Sequence, residues 1–330
     1  MPQDSSRPPN SSPPVSWPGW RPRRVWMSRV WRGSSRTHRP RSRAPSLRSI
    51  STYNACPRLP TVDDLELALA LADEADAISM ARFQSNDLLV ETKPDMTPVS
   101  DADRAVERSL RDMLARHRPA DAIHGEEYGS TEGSRQWIID PIDGTKGFVR
   151  GVPVWATLIG LREGDGITTG VVSAPALGRR WWANVDRGAY CSAPGQDAPR
   201  GPLSVSAVGD VADASFAFSD AIGWDRGALD RLLDTTWRQR GHGDFWAHVM
   251  VAEGVVDIAA EPALKVHDVA ALVPIVAAAG GRMSTFTGGE LPWNDPTAEF
   301  SLLTTNGRLH NSVLDLLGTQ PQVPRGRTME

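Results

Sequence analysis

Residues 137–145 read Trp-Ile-Ile-Asp-Pro-Ile-Asp-Gly-Thr, and the rest of the chain is built around this run. Three apolar residues predict the end of a buried strand. Asp140 closes it, Pro141 has no N–H for a continuing ladder, and a second acid, Asp143, precedes Gly144-Thr145. Two acids three residues apart on a sharp turn can point into one small space, where each raises the other's pKa. A divalent cation relieves the repulsion, and a hard ion such as Mg²⁺ takes oxygen ligands. Gly144-Thr145 then offers bare N–H groups suited to an anion such as phosphate. Alone, the same letters also fit a strand that ends in a polar turn, because short motifs recur by chance.

The charge distribution narrows the partners. The formal net charge is -4, but residues 1–60 hold twelve Arg, no Lys and one acid, Asp4, so that segment is +11 and residues 61–330 are -15. A folded region this acidic is a poor match for nucleic acid and suits a site that gathers carboxylates around metal. The two cysteines, Cys56 and Cys191, lie far apart and no Cys/His cluster has zinc spacing, so neither a disulfide nor zinc is expected. A reducing, cytoplasmic setting follows. No apolar run approaches the ~18 residues of a membrane span, so no membrane partner is expected either.

Residues 1–60 are rich in Arg, Ser and Pro, with Trp17, Trp20, Trp26 and Trp31 scattered among them and no visible period, which predicts disorder. Three accounts stay open: an arm for nucleic acid or a membrane surface, an organellar transit peptide, or an upstream extension with no role and a true start nearer Met27 or later. The last is preferred because the remainder reads as a complete fold. Thr61 is expected to cap a helix running to about Arg82, with Leu65, Leu67, Leu69, Ala72 and Ala75 on its apolar face. A strand over 87–92, a second helix after Ser100, a strand over 122–127, and strands over 154–161, 167–173, 179–185 and 188–191 follow. A boundary is placed near the Pro/Gly loop 193–202, dividing residues 61–195 from 196–318. The second half alternates strands (214–218, 237–240, 255–259) with helices (226–234, 247–253, 268–279) and ends in a helix at 309–317. Residues 319–330 read as a disordered tail. The pattern is a layered α/β/α/β, α+β arrangement.

Glu126, Asp140, Asp143 and Asp268 each fall at a strand end or helix start, where chain ends converge in layered α/β folds. Gly125-Glu126-Glu127, the run 137–145, and Asp268-Val269-Ala270-Ala271 followed by Ala279-Gly280-Gly281 together resemble the inositol monophosphatase family of Mg²⁺-dependent phosphatases over residues 63–317. The resemblance implies that family's fold, a homodimer, and two or three Mg²⁺ per site. Glu126, Asp140 and the Ile142 carbonyl would hold one ion, and Asp140, Asp143 and Asp268 a second. Asp103 would support a further metal or the water network, and Thr145, through Asp103, would place the attacking water. Gly144, Thr145 and Lys146 would receive the phosphate. Glu126 or Asp268 alone would read as a helix cap or solvated acid.

The runs 144–157, 173–182 and Arg240-Gly241-His242-Gly243-Asp244-Phe245-Trp246 resemble the branch of the family acting on histidinol phosphate, a step of histidine biosynthesis. That substrate is cationic away from its phosphate, so carboxylates should line its pocket. Asp244 and Glu261 are the candidates, Trp246 is expected to stack on imidazole, and Arg240 to hold phosphate or orient an acid. Asp244 could instead merely cap the helix that follows it. Gly147 stands where the branch carries Asn, predicting a looser turn, and His267 where it carries Trp, predicting weaker packing behind a metal ligand. Inositol phosphate, fructose bisphosphate or a 3′-phosphoadenosine nucleotide are the alternative substrates. A non-enzymatic RNA- or membrane-binding protein driven by residues 1–60 is the competing class.

Overall fold

The computed structural model describes residues 63–318 except 95, 197 and 294. The disorder expected of residues 1–60 and 319–330, and the Thr61 cap, lie outside the described residues. Helix α1 (Asp64–Arg82) is capped by Asp63, whose carboxylate accepts the Leu65 N–H at 2.9 Å. Strands β1 (Val90–Thr92) and β2 (Pro98–Ser100) form a hairpin, shorter at its start than the strand expected over 87–92. Ser100 then caps α2 (Asp101–His117) in a capping box closed by Asp103.

Seven strands make the first sheet: β3 (Ala122–Gly125), β4 (Gly129–Ser130), β5 (Arg135–Asp143), β6 (Ala156–Glu163), β7 (Gly166–Ala174), β8 (Arg179–Asn184) and β9 (Gly188–Ser192), with the short helix α3 (Thr145–Val149) after β5. Their order is β4-β3-β5-β6-β7-β8-β9, and β3–β5 is the parallel pair. The second half supplies β10 (Ser215–Phe218), α4 (Arg226–Thr235), β11 (Arg238–Gly241), α5 (Asp244–Ala252), β12 (Ile258–Leu264), α6 (Val266–Val269), α7 (Leu272–Ala278), β13 (Arg282–Ser284), β14 (Phe300–Thr305) and α8 (His310–Gly318). Its five strands are ordered β11-β10-β12-β14-β13.

Burial orders these elements into layers. Leu67, Leu71 and Ala75 of α1 and Val106 and Leu110 of α2 pack on Trp137, Ile139, Ile159 and Leu161 of the large sheet. The sheet's other face, through Leu158, Val172 and Trp181, meets Phe245 and Val249 of α5 and Leu272 and Ile275 of α7. Ala247 and Val251 of α5 rest in turn on Ala217 and Ala259 of the five-stranded sheet. Phe216 and Ile258, pointing the opposite way from those alanines, bury Leu229 and Leu232 of α4 and Val313 of α8. The layered expectation therefore holds, with α4 and α8 adding a fifth layer.

One expected helix, over 268–279, is two. Pro274 has no N–H for the Ala270 carbonyl four residues back, and the helix breaks at Ala270–Ala271. The broken junction presses into the large sheet: a Cβ on Gly170 would lie 2.1 Å from the Ala271 carbonyl oxygen. That close approach is what brings Asp268, just before the break, beside the end of β5.

Candidate active site

The register between β5 and β6 breaks between Asp140 and Asp143, where Pro141 interrupts the ladder. Thr157 Oγ1 donates to the Pro141 carbonyl at 2.8 Å and pins the kink. Both acids then face a cavity of about 390 Å³, shared with Glu126, Thr145, Lys146, Asp244 and Asp268. Carboxylate oxygens of Asp140, Asp143 and Asp268 lie within 4.8 Å of one another. Each acid is held differently. Asp143 Oδ2 accepts the Phe245 N–H at 2.7 Å, and Asp268 Oδ2 accepts the Lys265 N–H at 2.7 Å. Asp268 is thus a helix cap after all, but with one oxygen; the other faces the cluster. Asp140 Oδ1 is buried with no hydrogen-bond partner among the described residues.

Burial pushes all three carboxyls above the usual range. At Asp140 the charges of Glu126 and Asp143 add to it; at Asp143, those of Asp244 and Asp268; at Asp268, the neighbouring His267 opposes it. A buried, partnerless carboxylate oxygen inside a trio of mutually repelling acids fits a hard divalent cation well, because it supplies the charge these groups lack.

Glu126 lies at the margin of the trio. Lys93, on the β1–β2 hairpin, pairs with Glu126 at 2.6 Å and with Glu127 at 2.5 Å. Burial would strip the Lys93 proton, but the two carboxylates outweigh it and hold its pKa above the ordinary value. On the far side, Thr145 Oγ1 sits 2.9 Å from the Ile142 carbonyl and 3.3 Å from Asp103 Oδ1. Asp103's other oxygen takes the Ser100 N–H and hydroxyl, while burial pushes its carboxyl up to about 6. Gly144 (φ 85°) turns the chain into α3, whose first N–H groups have no intrahelical acceptor.

The substrate candidates divide. Asp244 is the first residue of α5, in a left-handed conformation (φ 50°), and makes no capping bond, so the cap account of it fails. Its Oδ2 stands 3.1 Å from where a Cβ on Gly144 would be, directly against the turn before Thr145. Burial, reinforced by the Asp268 charge, raises its carboxyl to about 6, although Lys146 opposes the shift. Glu261 is buried on β12 behind the cavity and does not line it. It accepts the Ser219 hydroxyl at 2.7 Å, Ser219 Oγ accepts the Asp244 N–H at 2.9 Å, and burial raises Glu261 to about 8. Its placement makes it the anchor of a short relay to Asp244, not a wall of the pocket.

Two expectations do not survive. Arg240 is exposed on the edge strand β11, its Nη1 donating to the adjacent Gln239 carbonyl at 2.7 Å, and it does not line the cavity. Trp246, two residues after Asp244, falls about 200° around the helix from it and packs into the apolar layers instead. The Gly147 turn is not loose: its N–H reaches the Gly144 carbonyl at 2.8 Å and its carbonyl takes the Val152 N–H at 2.9 Å. Nor is the space behind His267 empty. His124 from β3 lies against it, ring centroids 5.7 Å apart, and burial lowers the His124 pKa to about 4.

Sequence reasoning missed Lys93, Ser219, His124 and Glu107. Only Glu107 left a sequence signal, one helical turn beyond Asp103 on α2. The others are brought in by tertiary contacts alone.

Comparison with known proteins bears on the whole arrangement. A model of the inositol monophosphatase family matches residues 62–320. A histidinol-phosphatase of Mycobacterium tuberculosis is 53% identical over 262 residues, covering 77% of this chain and 98% of that protein. One from Streptomyces coelicolor is 52% identical over 265 residues, covering 78% and 97%. Among solved structures, an IMPase of Thermotoga maritima superposes with a TM-score of 0.68 at 27% identity, over 78% of this chain and 97% of that one.

Proposed function

The chain belongs to the inositol monophosphatase family, and from that premise we propose that it hydrolyses L-histidinol phosphate to L-histidinol and phosphate. It is an enzyme of the phosphoric monoester hydrolase class, and the phosphatases of this family use Mg²⁺. The observation that carries the substrate is Asp244: a carboxylate built against the Gly144-Thr145 turn, suited to a cationic amine tethered to the phosphate held there.

Asp140, Asp143 and Asp268, with Glu126 and the Ile142 carbonyl, would hold two metal ions, and Asp103 would support a third. Bound there, the metal supplies a water of lowered pKa and neutralises charge on the phosphoryl and leaving oxygens. The protein's own groups do the placing. The Thr145 hydroxyl, shared between the Ile142 carbonyl and Asp103, keeps a lone pair for the proton of an incoming water. The N–H groups opening α3 receive phosphoryl oxygens, and Lys146 adds a positive charge on the same side. Asp244 takes the substrate's ammonium, and Ser219 and Glu261 fix Asp244 in its strained conformation. No helix of the described residues is long and apolar enough to cross a membrane. In this reading the enzyme is a cytoplasmic homodimer, and light scattering on the purified protein checks the assembly.

The experiment is phosphate release with Mg²⁺ from histidinol phosphate, inositol 1-phosphate, fructose 1,6-bisphosphate and a 3′-phosphoadenosine nucleotide. The histidinol ester should exceed each of the others in kcat/KM by about a hundredfold, the scale of a charge-assisted hydrogen bond that the wrong ester cannot make. Equal or reversed rates overturn the assignment.

A further inference from the structure

Helix α2 carries two buried acids one turn apart. Asp103 reaches toward Thr145, on one side of the cavity. Glu107, fully buried, reaches the other. Its Oε2 accepts the Glu127 N–H at 2.7 Å, and its Oε1 accepts the Tyr128 N–H at 3.1 Å and Arg111 Nε at 2.8 Å. Arg111, four residues on, also donates to the Gly129 carbonyl. Acid and arginine together grip the turn from Glu126 to Gly129 at three backbone points.

Gly125 shows how tight the grip is. A Cβ there would lie 2.0 Å from Glu107 Oε1, so the chain runs directly over the carboxylate and only glycine fits. Glu126 is therefore held from both sides, by Gly125 pressed on Glu107 and by the Glu127 N–H bonded to it. Its remaining backbone tether, its own N–H to the Ile139 carbonyl, is long at 3.3 Å, and its side chain is held by Lys93 at 2.6 Å. Without Glu107 the backbone that carries Glu126 would lose its firmest supports, leaving Lys93 to hold the carboxylate whose charge raises the Asp140 pKa more than any other single charge does.

We propose that Glu107 is the positioning residue for Glu126 and thereby sets the affinity of the site for Mg²⁺. This rests on the reading of Glu126 as a metal ligand. Glu107 touches neither substrate nor metal; it acts by aligning a turn. The spacing Asp103-x-x-x-Glu107-x-x-x-Arg111 places all three on one strip of α2, so a single helix sets both the water-placing threonine and the peripheral carboxylate.

The test is Mg²⁺ titration of the metal-free, full-length protein by calorimetry, alongside the Mg²⁺ dependence of phosphate release. In E107Q an amide N–H₂ faces backbone N–H groups or the arginine, all donors, and the turn loses its anchor. The Mg²⁺ dissociation constant should rise about tenfold, the scale for residues that orient a metal ligand, with kcat at saturating Mg²⁺ and KM within about threefold of the parent. R111Q, which loosens the same carboxylate, should shift Mg²⁺ affinity about threefold the same way, and it decides the matter if E107Q does not fold. A purely structural role would lower the melting temperature and leave Mg²⁺ affinity unchanged in whichever variant folds, and that result overturns the proposal. A parent protein that takes up no Mg²⁺ overturns the metal reading itself, and this proposal with it.

Discussion

The floor of the cavity and its wall are built on different plans. On the floor, Asp143 and Asp268 each give one oxygen to a backbone N–H, while Asp140 keeps a buried oxygen with no hydrogen-bond partner among the described residues. Short stretches of chain fix these geometries: a proline kink, a helix first turn. On the wall, Asp244 is held by Ser219, Ser219 by Glu261, and none of the three is near the others in sequence. The floor is local structure with tertiary support; the wall is tertiary structure throughout. A reaction type can thus be kept by a few rigid turns, while the choice of ester depends on a relay that a single distant substitution can move.

Asp140→Asn breaks the comparison most severely. Removing the carboxylate whose buried Oδ1 has no hydrogen-bond partner among the described residues should abolish Mg²⁺ heat in calorimetry and lower phosphate release by at least about 10³-fold, the several kcal/mol attributed to metal charge stabilisation. The same change should leave the metal-free melting temperature equal or higher, because it deletes a buried charge that repels Glu126 and Asp143. A variant that keeps Mg²⁺ binding would mean the floor is not the metal site.

Asp244→Asn addresses the wall alone. It should cut kcat/KM for histidinol phosphate about 10- to 100-fold, the worth of one charge-assisted hydrogen bond, and leave inositol 1-phosphate turnover unchanged. Equal losses on both esters would make Asp244 part of the floor. Ser219→Ala should act in the same direction but by only about three- to tenfold, since it removes a neutral link behind the ammonium site and leaves the carboxylate itself in place.

The same division explains what could be read from the sequence. Asp140, Asp143, Asp268 and the Gly144-Thr145 turn were legible because each sits at a turn or cap whose chemistry is written in adjacent letters, whereas Asp103 came only with the family resemblance. The layers were legible from strand and helix periods, except where Pro274 divides a helix and where α4 and α8 add a layer. Arg240 and Trp246 were misplaced because their roles were carried over with a contiguous run, whereas helix phase sends Trp246 to the face opposite Asp244 and an edge strand leaves Arg240 outside. Glu261 was found as a residue but not in its place, since no spacing shows that a serine from another strand stands between it and the cavity. Lys93 and His124 answer charges and rings that only folding brings near.

A smaller effect separates floor from wall by pH. Groups on both have folded-state pKa values raised by burial: Asp103 to about 6 on one side, Asp244 to about 6 and Glu261 to about 8 on the other. A carboxyl whose folded pKa exceeds its unfolded one contributes stability that is full below the unfolded value, near 4, and is lost as pH rises through the folded value. The buried histidines act in the opposite sense: His124, His248 and His310, lowered by burial to about 4, cost stability only as pH falls below about 6.5, the unfolded value. Between about 7.5 and 8.5 those rings are neutral in both states, and the falling stability belongs to carboxyls. Saturating Mg²⁺ should remove the floor's share by discharging its acids. The melting temperature of the Mg²⁺-loaded protein should still fall by a few degrees across that window, and Glu261→Gln, which keeps an oxygen for the Ser219 hydroxyl, should flatten the fall. A slope that persists in that variant would assign the residual charge to the floor, and the boundary drawn between the two regions at Asp244 would have to move.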